Sequence, residues 1–167
     1  MKDMLPMLHP EDIIVDGWDI SKLNLFDAMK RAKVIDISLQ KQLETHLKDL
    51  KPKEAIFDPS FIALNQAERA DNILKYDDKL KQVNKIRSDI RNFKESNNLD
   101  KVILLWTANT ERYTLIQENV HGSMDKLLQA VERNEKEISP STLYAIASIL
   151  EGCSYINGSP QNTFVPG

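Results

Sequence analysis

Five consecutive apolar or aromatic residues, Val102 to Trp106, lead directly into a short polar run that begins at Thr107. A run of this length and composition predicts a strand that is buried on both faces of a parallel sheet. In open α/β sheets, ligands bind in the crevice beyond the carboxyl ends of the strands, and the side chains of Thr107, Asn109 and Thr110 fall there. The alternative is that these polar residues only turn the chain and cap the next helix.

Helical and extended patterns alternate along the rest of the chain. Apolar residues at helical spacing predict helices at 25–32, 38–50, 79–93, 124–133 and 141–150, and short apolar runs predict further strands at 13–15, 55–57 and 155–156. Ser21 is the predicted cap of the first helix, and the charged side chains of 79–94 predict a solvated helix face. The alternation predicts an α/β fold with a parallel sheet and flanking helices.

Composition and charge exclude several classes of protein. The 167 residues carry 22 basic and 25 acidic side chains that are interspersed, so we expect neither a nucleic-acid partner nor an anionic membrane surface. The single cysteine suits a reducing compartment, and the chain lacks both a membrane-spanning stretch and the apolar core of a signal peptide. We therefore expect a cytoplasmic protein. The three histidines show no metal-ligand spacing, so no metal site is predicted.

The phosphate-binding glycines of a nucleotide-binding fold are missing from the sequence. Its five glycines approach neither the GxGxxG nor the Walker A spacing. Asp16 and Asp19 nevertheless follow the first predicted strand, where a dinucleotide fold carries the acid that bonds the ribose hydroxyls. The pattern is that of a chain that begins after the first βα unit. The alternative is that both aspartates only form a turn and favour the start of a helix.

Four segments, taken in order, resemble the myo-inositol-1-phosphate synthase family, also called the inositol-3-phosphate synthase family. They are DGWDI (16–20), FIALNQAERAD (61–71), LWTANTER (105–112) and the end of the chain, YINGSPQNTFVPG (155–167). Each segment alone is a weak signal, but the four occur in family order and the resemblance covers nearly the whole chain. The resemblance implies part of a Rossmann-like parallel sheet with flanking helices that lacks the first βα unit.

The resemblance also implies an activity. Members of this family convert glucose 6-phosphate to 1D-myo-inositol 3-phosphate, with NAD as the cofactor, in inositol and phospholipid biosynthesis. The sugar is oxidised, enolised, closed by an intramolecular aldol step and finally reduced, so the enzyme is an isomerase. A homotetramer is implied as well.

The matching motifs imply a set of cofactor-binding residues. Asp19 resembles the family's ribose-binding acid, and Ala55 departs from the serine of some members, so only a backbone contact is expected there. Ile56, Gln66 and Arg69 match cofactor-contacting positions. The segment that lines the nicotinamide cofactor is matched by Thr107, Ala108, Asn109 and Thr110, and the loop that follows is matched by Gly158 and Ser159.

Two family features have no counterpart in this sequence. The glycine-rich loop of the family would precede Met1, and the lysines that carry its enolate and phosphate chemistry would follow Gly167. Residues 1–167 are therefore expected to be an incomplete NAD-binding domain, the middle portion of a longer enzyme, with no catalytic residue and no activity by itself. The alternative is a non-catalytic α/β module for nucleotide binding or scaffolding.

Overall fold

The computed structural model describes residues 7–167 and shows helices that alternate with short parallel strands. The helices are α1 (Leu25–Ala32), α2 (Ile37–Leu47), α3 (Lys79–Ser96), α4 (Glu118–His121), α5 (Met124–Glu132) and α6 (Pro140–Leu150). The strands are β1 (Trp18–Asp19), β2 (Lys53–Glu54), β3 (Ile103–Trp106) and β4 (Ser154–Asn157), and short 3₁₀ helices cover Pro10–Asp12 and Leu64–Arg69. Within residues 7–167, no helix is long and apolar enough to cross a membrane.

The strands form two parallel pairs. β1 pairs with β2, and β3 pairs with β4 over four residues, from Ile103 opposite Ser154 to Trp106 opposite Asn157. The predicted α/β class with parallel strands is confirmed. In the part of the chain that the structure describes, no strand joins β1 to β3, so the two pairs face each other across a groove.

Most of the predicted helices are confirmed, but the predicted cap of the first one is wrong. α1 begins at Leu25 as expected, and its cap is Asn24, whose side-chain oxygen accepts the Asp27 N–H at 2.8 Å. Ser21 is buried four residues before the helix begins. Both serine and asparagine are good caps, and the choice depends on which of them the incoming chain holds in extended geometry.

Three further expectations are wrong, because strand formation and burial depend on packing against segments that are distant in sequence. Residues 13–15 are exposed and form no strand, since no described strand lies beside them. β3 is buried on one face only: Leu104 packs with α3 and α6, whereas Ile103 and Leu105 are 63% and 58% exposed beside the groove. The α3 face is not fully solvated either, because Asp89 is buried.

Helix α6 forms the centre of the core. Nine of its eleven residues are buried, and its apolar side chains join those of α3, α5 and β3 in one cluster. The ring of Tyr144 lies 5.4 Å from that of Trp18 in β1 and 5.5 Å from that of Trp106 in β3. Its hydroxyl accepts the main-chain N–H of Ile56, just beyond β2, at 3.2 Å. Burial raises the pKa of Tyr144, so the phenol is neutral at physiological pH.

We predict that Tyr144→Phe destabilises the domain by about 1–3 kcal/mol, because it leaves the buried Ile56 N–H without an acceptor and changes little else. Urea unfolding measures the loss. Tyr113→Phe is the matched control, since Tyr113 is exposed, and it should change the unfolding free energy by less than about 0.5 kcal/mol. Equal stability of the two variants would contradict the prediction.

Candidate functional site

The groove between the two strand pairs is the candidate site. It encloses about 660 Å³ and is lined by residues of 13–20, by the chain after β2, and by β3 with the residues that follow it. A volume of this size lies within the range of small-molecule and cofactor sites. Most of the lining is apolar, so the few polar side chains that reach it determine what it can recognise.

At the carboxyl end of each of the four strands lies a residue that sequence analysis predicted for cofactor binding. Asp19 ends β1, Ala55 follows β2, Thr107 follows β3 and Gly158 follows β4. Because both pairs are parallel, these ends lie where ligands bind in open α/β sheets. Seven of the predicted residues line the groove, namely Asp19, Ala55, Ile56, Arg69, Thr107, Ala108 and Asn109, whereas Gln66, Thr110, Gly158 and Ser159 do not.

The carboxylate of Asp19 is held at the end of β1 by its neighbours. One of its oxygens accepts the Ser21 N–H at 2.8 Å, and Arg69 Nη2 lies 3.8 Å from the same oxygen. The main-chain oxygen of Asp19 accepts a hydrogen bond from Asn72 Nδ2 at 2.9 Å. The side chain remains 44% exposed, so this carboxylate can accept hydrogen bonds from a ligand.

Gln66 and Arg69 each carry a buried polar atom that lacks a partner. They are three residues apart in the 3₁₀ helix Leu64–Arg69, and a 3₁₀ turn of three residues brings both side chains to the same face. Among the described residues, Gln66 Oε1 and Arg69 Nε make no hydrogen bond although both are buried. Buried polar atoms are nearly always paired, so these two indicate a polar ligand beside this helix.

The main-chain N–H groups of Ala55 and Ile56 are both used within the protein. The Ala55 N–H donates to the Asn72 oxygen at 3.0 Å, and its carbonyl accepts the Leu74 N–H at 3.0 Å. The Ile56 N–H donates to Tyr144. A contact of Ala55 with a ligand would therefore be made through its methyl side chain, or through the second lone pair of its main-chain carbonyl oxygen.

The loop after β4 is fastened to the residues that follow β3. The Gly158 N–H donates to the Trp106 oxygen at 2.9 Å, and Ser159 Oγ donates to the Ala108 oxygen at 3.0 Å. A Cβ atom on residue 158 would lie 2.7 Å from the Trp106 oxygen, so this close approach requires glycine. The indole N–H of Trp106 is buried and, among the described residues, has no acceptor.

Sequence analysis did not identify two buried acidic residues that hold parts of the site in position. Glu111 is 98% buried, and its carboxylate accepts the Ser141 N–H at 2.9 Å and the Ser141 hydroxyl at 2.6 Å, at the N-terminus of α6. Asp89 of α3 accepts the Trp18 indole N–H at 3.0 Å. Glu111 belongs to a recognised motif, but only the fold shows that it faces inward. No local signal distinguishes Asp89 from an exposed helix acid.

These features fit a dinucleotide. An exposed carboxylate at a strand end suits ribose hydroxyls. The unpaired atoms of Gln66, Arg69 and Trp106 supply one acceptor and two donors. Within residues 7–167, no group of three or more His, Cys, Asp or Glu side chains could hold a metal ion.

We predict that Glu111→Gln becomes more stable relative to the wild type as the pH rises. Burial raises the pKa of Glu111 above its ordinary value of 4.5, so the folded state holds this proton more tightly than the unfolded state. The stability linked to the proton is fully present below the unfolded pKa and is lost as the pH rises through the folded pKa. Glutamine cannot ionise and therefore avoids the loss.

Urea unfolding at about pH 5 and about pH 8 tests this difference. Glu118→Gln is the control, because the hydrogen bond from Lys126 lowers the pKa of this exposed acid and gives a small effect of opposite sign. A constant stability difference between Glu111→Gln and the wild type at both pH values would show that the buried carboxyl does not contribute this pH dependence.

Comparison with known proteins gives one family. A model of an NAD-binding domain, described as myo-inositol-1-phosphate synthase, matches residues 1–167. The chain is 54% identical to the inositol-3-phosphate synthase of Drosophila melanogaster over its whole length and 57% identical to inositol-3-phosphate synthase 1-A of Xenopus laevis over 166 residues. The crystal structure of the Caenorhabditis elegans inositol-3-phosphate synthase superposes with a TM-score of 0.97 at 50% identity and covers 99% of the chain. The chain spans only 29% of each of the two relatives and 32% of the solved chain.

Proposed function

Because this chain belongs to the myo-inositol-1-phosphate synthase family, we propose that the groove between its two strand pairs holds NAD in an isomerase that acts on glucose 6-phosphate. The product would be 1D-myo-inositol 3-phosphate. The observation that carries the proposal is the convergence of the carboxyl ends of β1, β2 and β3 on one groove, with a carboxylate at the end of β1. The matching family domain is NAD-binding, so the cofactor is NAD.

We assign the two ends of the cofactor to the two sides of the groove. Asp19 would accept hydrogen bonds from the adenosine ribose, and Arg69 with Gln66 would supply the polar contacts beside it. The segment 107–110 would lie along the nicotinamide. Two observations support this assignment: these four residues are exposed at the end of β3, and the N–H groups from Ala108 to Thr110 donate to no other described residue.

The roles that we assign to this chain are binding, orientation and exclusion of water. NAD supplies a hydride acceptor that is regenerated at the end of the cycle. The apolar side chains of Ile56, Trp106 and Tyr144 line the groove and would keep water from the cofactor. The loop at Gly158, which is hydrogen-bonded to Trp106, would keep the 107–110 segment in place. We assign no proton transfer to a residue of this chain.

The oligomeric state and the pathway are inferred from the family resemblance alone. We propose a homotetramer in the cytoplasm that acts in inositol and phospholipid biosynthesis, with glucose 6-phosphate as its substrate.

We predict that excitation energy is transferred from the tryptophans of the groove to bound NADH. Trp18 and Trp106 both line the groove, so a bound reduced nicotinamide would quench the fluorescence of these tryptophans and would itself fluoresce. In the protein that carries this chain, Trp106→Phe together with Trp18→Phe should reduce this sensitised emission during an NADH titration. An unchanged signal, or one that excess NAD fails to abolish, would place the cofactor elsewhere.

We predict that Asp19→Ala weakens NAD binding by about 1.5–3 kcal/mol, the range for hydrogen bonds to a charged group. Calorimetric titration with NAD measures the loss. Asp16→Ala is the matched control and should cost less, because the Asp16 carboxylate also lines the groove but is already paired with Lys53. Equal NAD affinities of wild type and Asp19→Ala would return Asp19 to the role of a turn former.

A further inference from the structure

The residues that we assign to the nicotinamide have well-held neighbours but few hydrogen bonds of their own. Residues 107–110 are exposed, and the N–H groups of Ala108 to Thr110 donate to no other described residue. Before them lies β3, which is paired with β4 over four residues. After them come Glu111, whose carboxylate is bonded to the N-terminus of α6, and Arg112. The placement of 107–110 therefore depends on how these two residues are held.

Arg112 joins this segment to the turn after β2. Its main-chain N–H donates to the Phe61 oxygen at 2.9 Å, and its Nε donates to the Ser60 oxygen at 2.8 Å. Its guanidinium carbon lies 4.0 Å from the centre of the Phe61 ring, a cation–π contact. The turn is itself attached to α3, because the Asp58 carboxylate lies 3.8 Å from Lys79 Nζ. Arg112 thus attaches the residues after β3 to an element that is held independently.

The terminal nitrogens of Arg112 form a two-point pair with Glu137. Nη1 and Nη2 donate to the two carboxylate oxygens at 3.1 and 2.9 Å, and one of these oxygens also accepts the Leu115 N–H at 3.1 Å. Glu137 is held in turn by the fully buried His121, whose Nε2 donates to the Glu137 main-chain oxygen at 2.8 Å. Paired bonds of this kind fix the direction of both side chains.

We propose that Arg112 positions the nicotinamide end of the cofactor by holding residues 107–110 beside the groove. Arg112 does not line the groove, so it is a positioning residue that acts through this segment. A segment that is held in place before binding costs less to order when the ligand arrives. The inference rests on the proposed function, because it takes 107–110 to lie along the nicotinamide.

The experiment compares the affinities of NAD and of ADP-ribose, which lacks the nicotinamide, by calorimetry in the protein that carries this chain. Arg112→Lys keeps the positive charge, but an ammonium group cannot bond the Ser60 oxygen and both Glu137 oxygens in one fixed geometry. NAD affinity should fall about tenfold, the equivalent of one further backbone residue to be ordered on binding. ADP-ribose affinity should stay constant, whereas a general loss of structure would lower both affinities alike.

Two further variants test whether the pair with Glu137 is responsible. Glu137→Gln removes the second carboxylate oxygen and should lower NAD affinity in the same selective way. Combined with Arg112→Lys, it should add less than its own single effect, because both changes break one interaction. Arg133→Lys is the matched control, since Arg133 pairs with Glu135 at 3.4 Å on the surface, and it should change neither affinity.

The possible outcomes are distinct. If the wild type binds neither NAD nor ADP-ribose, the proposed function fails and the inference fails with it. If the wild type binds both, and Arg112→Lys lowers both affinities alike or leaves both unchanged, the inference alone is overturned. It is also overturned if Arg133→Lys produces the same selective loss. Thermal unfolding identifies a variant that fails to fold, and Glu137→Gln then takes the place of Arg112→Lys in the comparison.

Discussion

The side chain of Tyr144 connects the two strand pairs that form the groove. Its ring contacts a tryptophan from each strand pair, and its hydroxyl accepts the main-chain N–H of Ile56, just beyond β2. The two pairs share no hydrogen-bonded ladder among the described residues, so their spacing depends on side-chain packing against α6. Aromatic pairs at these distances add stabilisation beyond their buried area. The width of the candidate site is therefore set by a helix residue that was not among the predicted binding residues.

Buried carboxylates fix the two halves of the site. Asp89 accepts hydrogen bonds from Trp18 and from Lys85, and so orients the residue directly before Asp19. Glu111 is bonded to the N-terminus of α6 and holds the end of the 107–110 segment. An ionised group without partners is costly in a protein interior, but each of these has two donors. These hydrogen bonds offset the cost of burying each carboxylate, and they also fix its position in the fold.

The sequence was informative where local pattern decides the structure and misleading where distant partners decide it. Helix α1 and helix α5 follow from apolar spacing alone, and the strand at Val102 to Trp106 was found almost to the residue. Its burial on one face only was not predictable, because that depends on which elements reach each face. Asp19 and Thr107 were singled out because each lies at the end of a predicted strand, and the family resemblance then assigned them to the cofactor. Tyr144 and Asp89 act through contacts more than 70 residues away in sequence, and no local rule identifies them.

The close approach at Gly158 has a consequence for how the groove can change its shape. Hydrogen bonds and steric contact join the loop after β4 to the end of β3, and the four-residue ladder behind them makes that wall stiff. The opposite wall consists of strands only two residues long, preceded by the exposed stretch 13–15. Regions with short ladders and few buried contacts open at lower free energy than the core. A dinucleotide that enters the groove would therefore displace the β1–β2 pair. The β3–β4 pair would stay fixed, and the β1–β2 pair would close toward it.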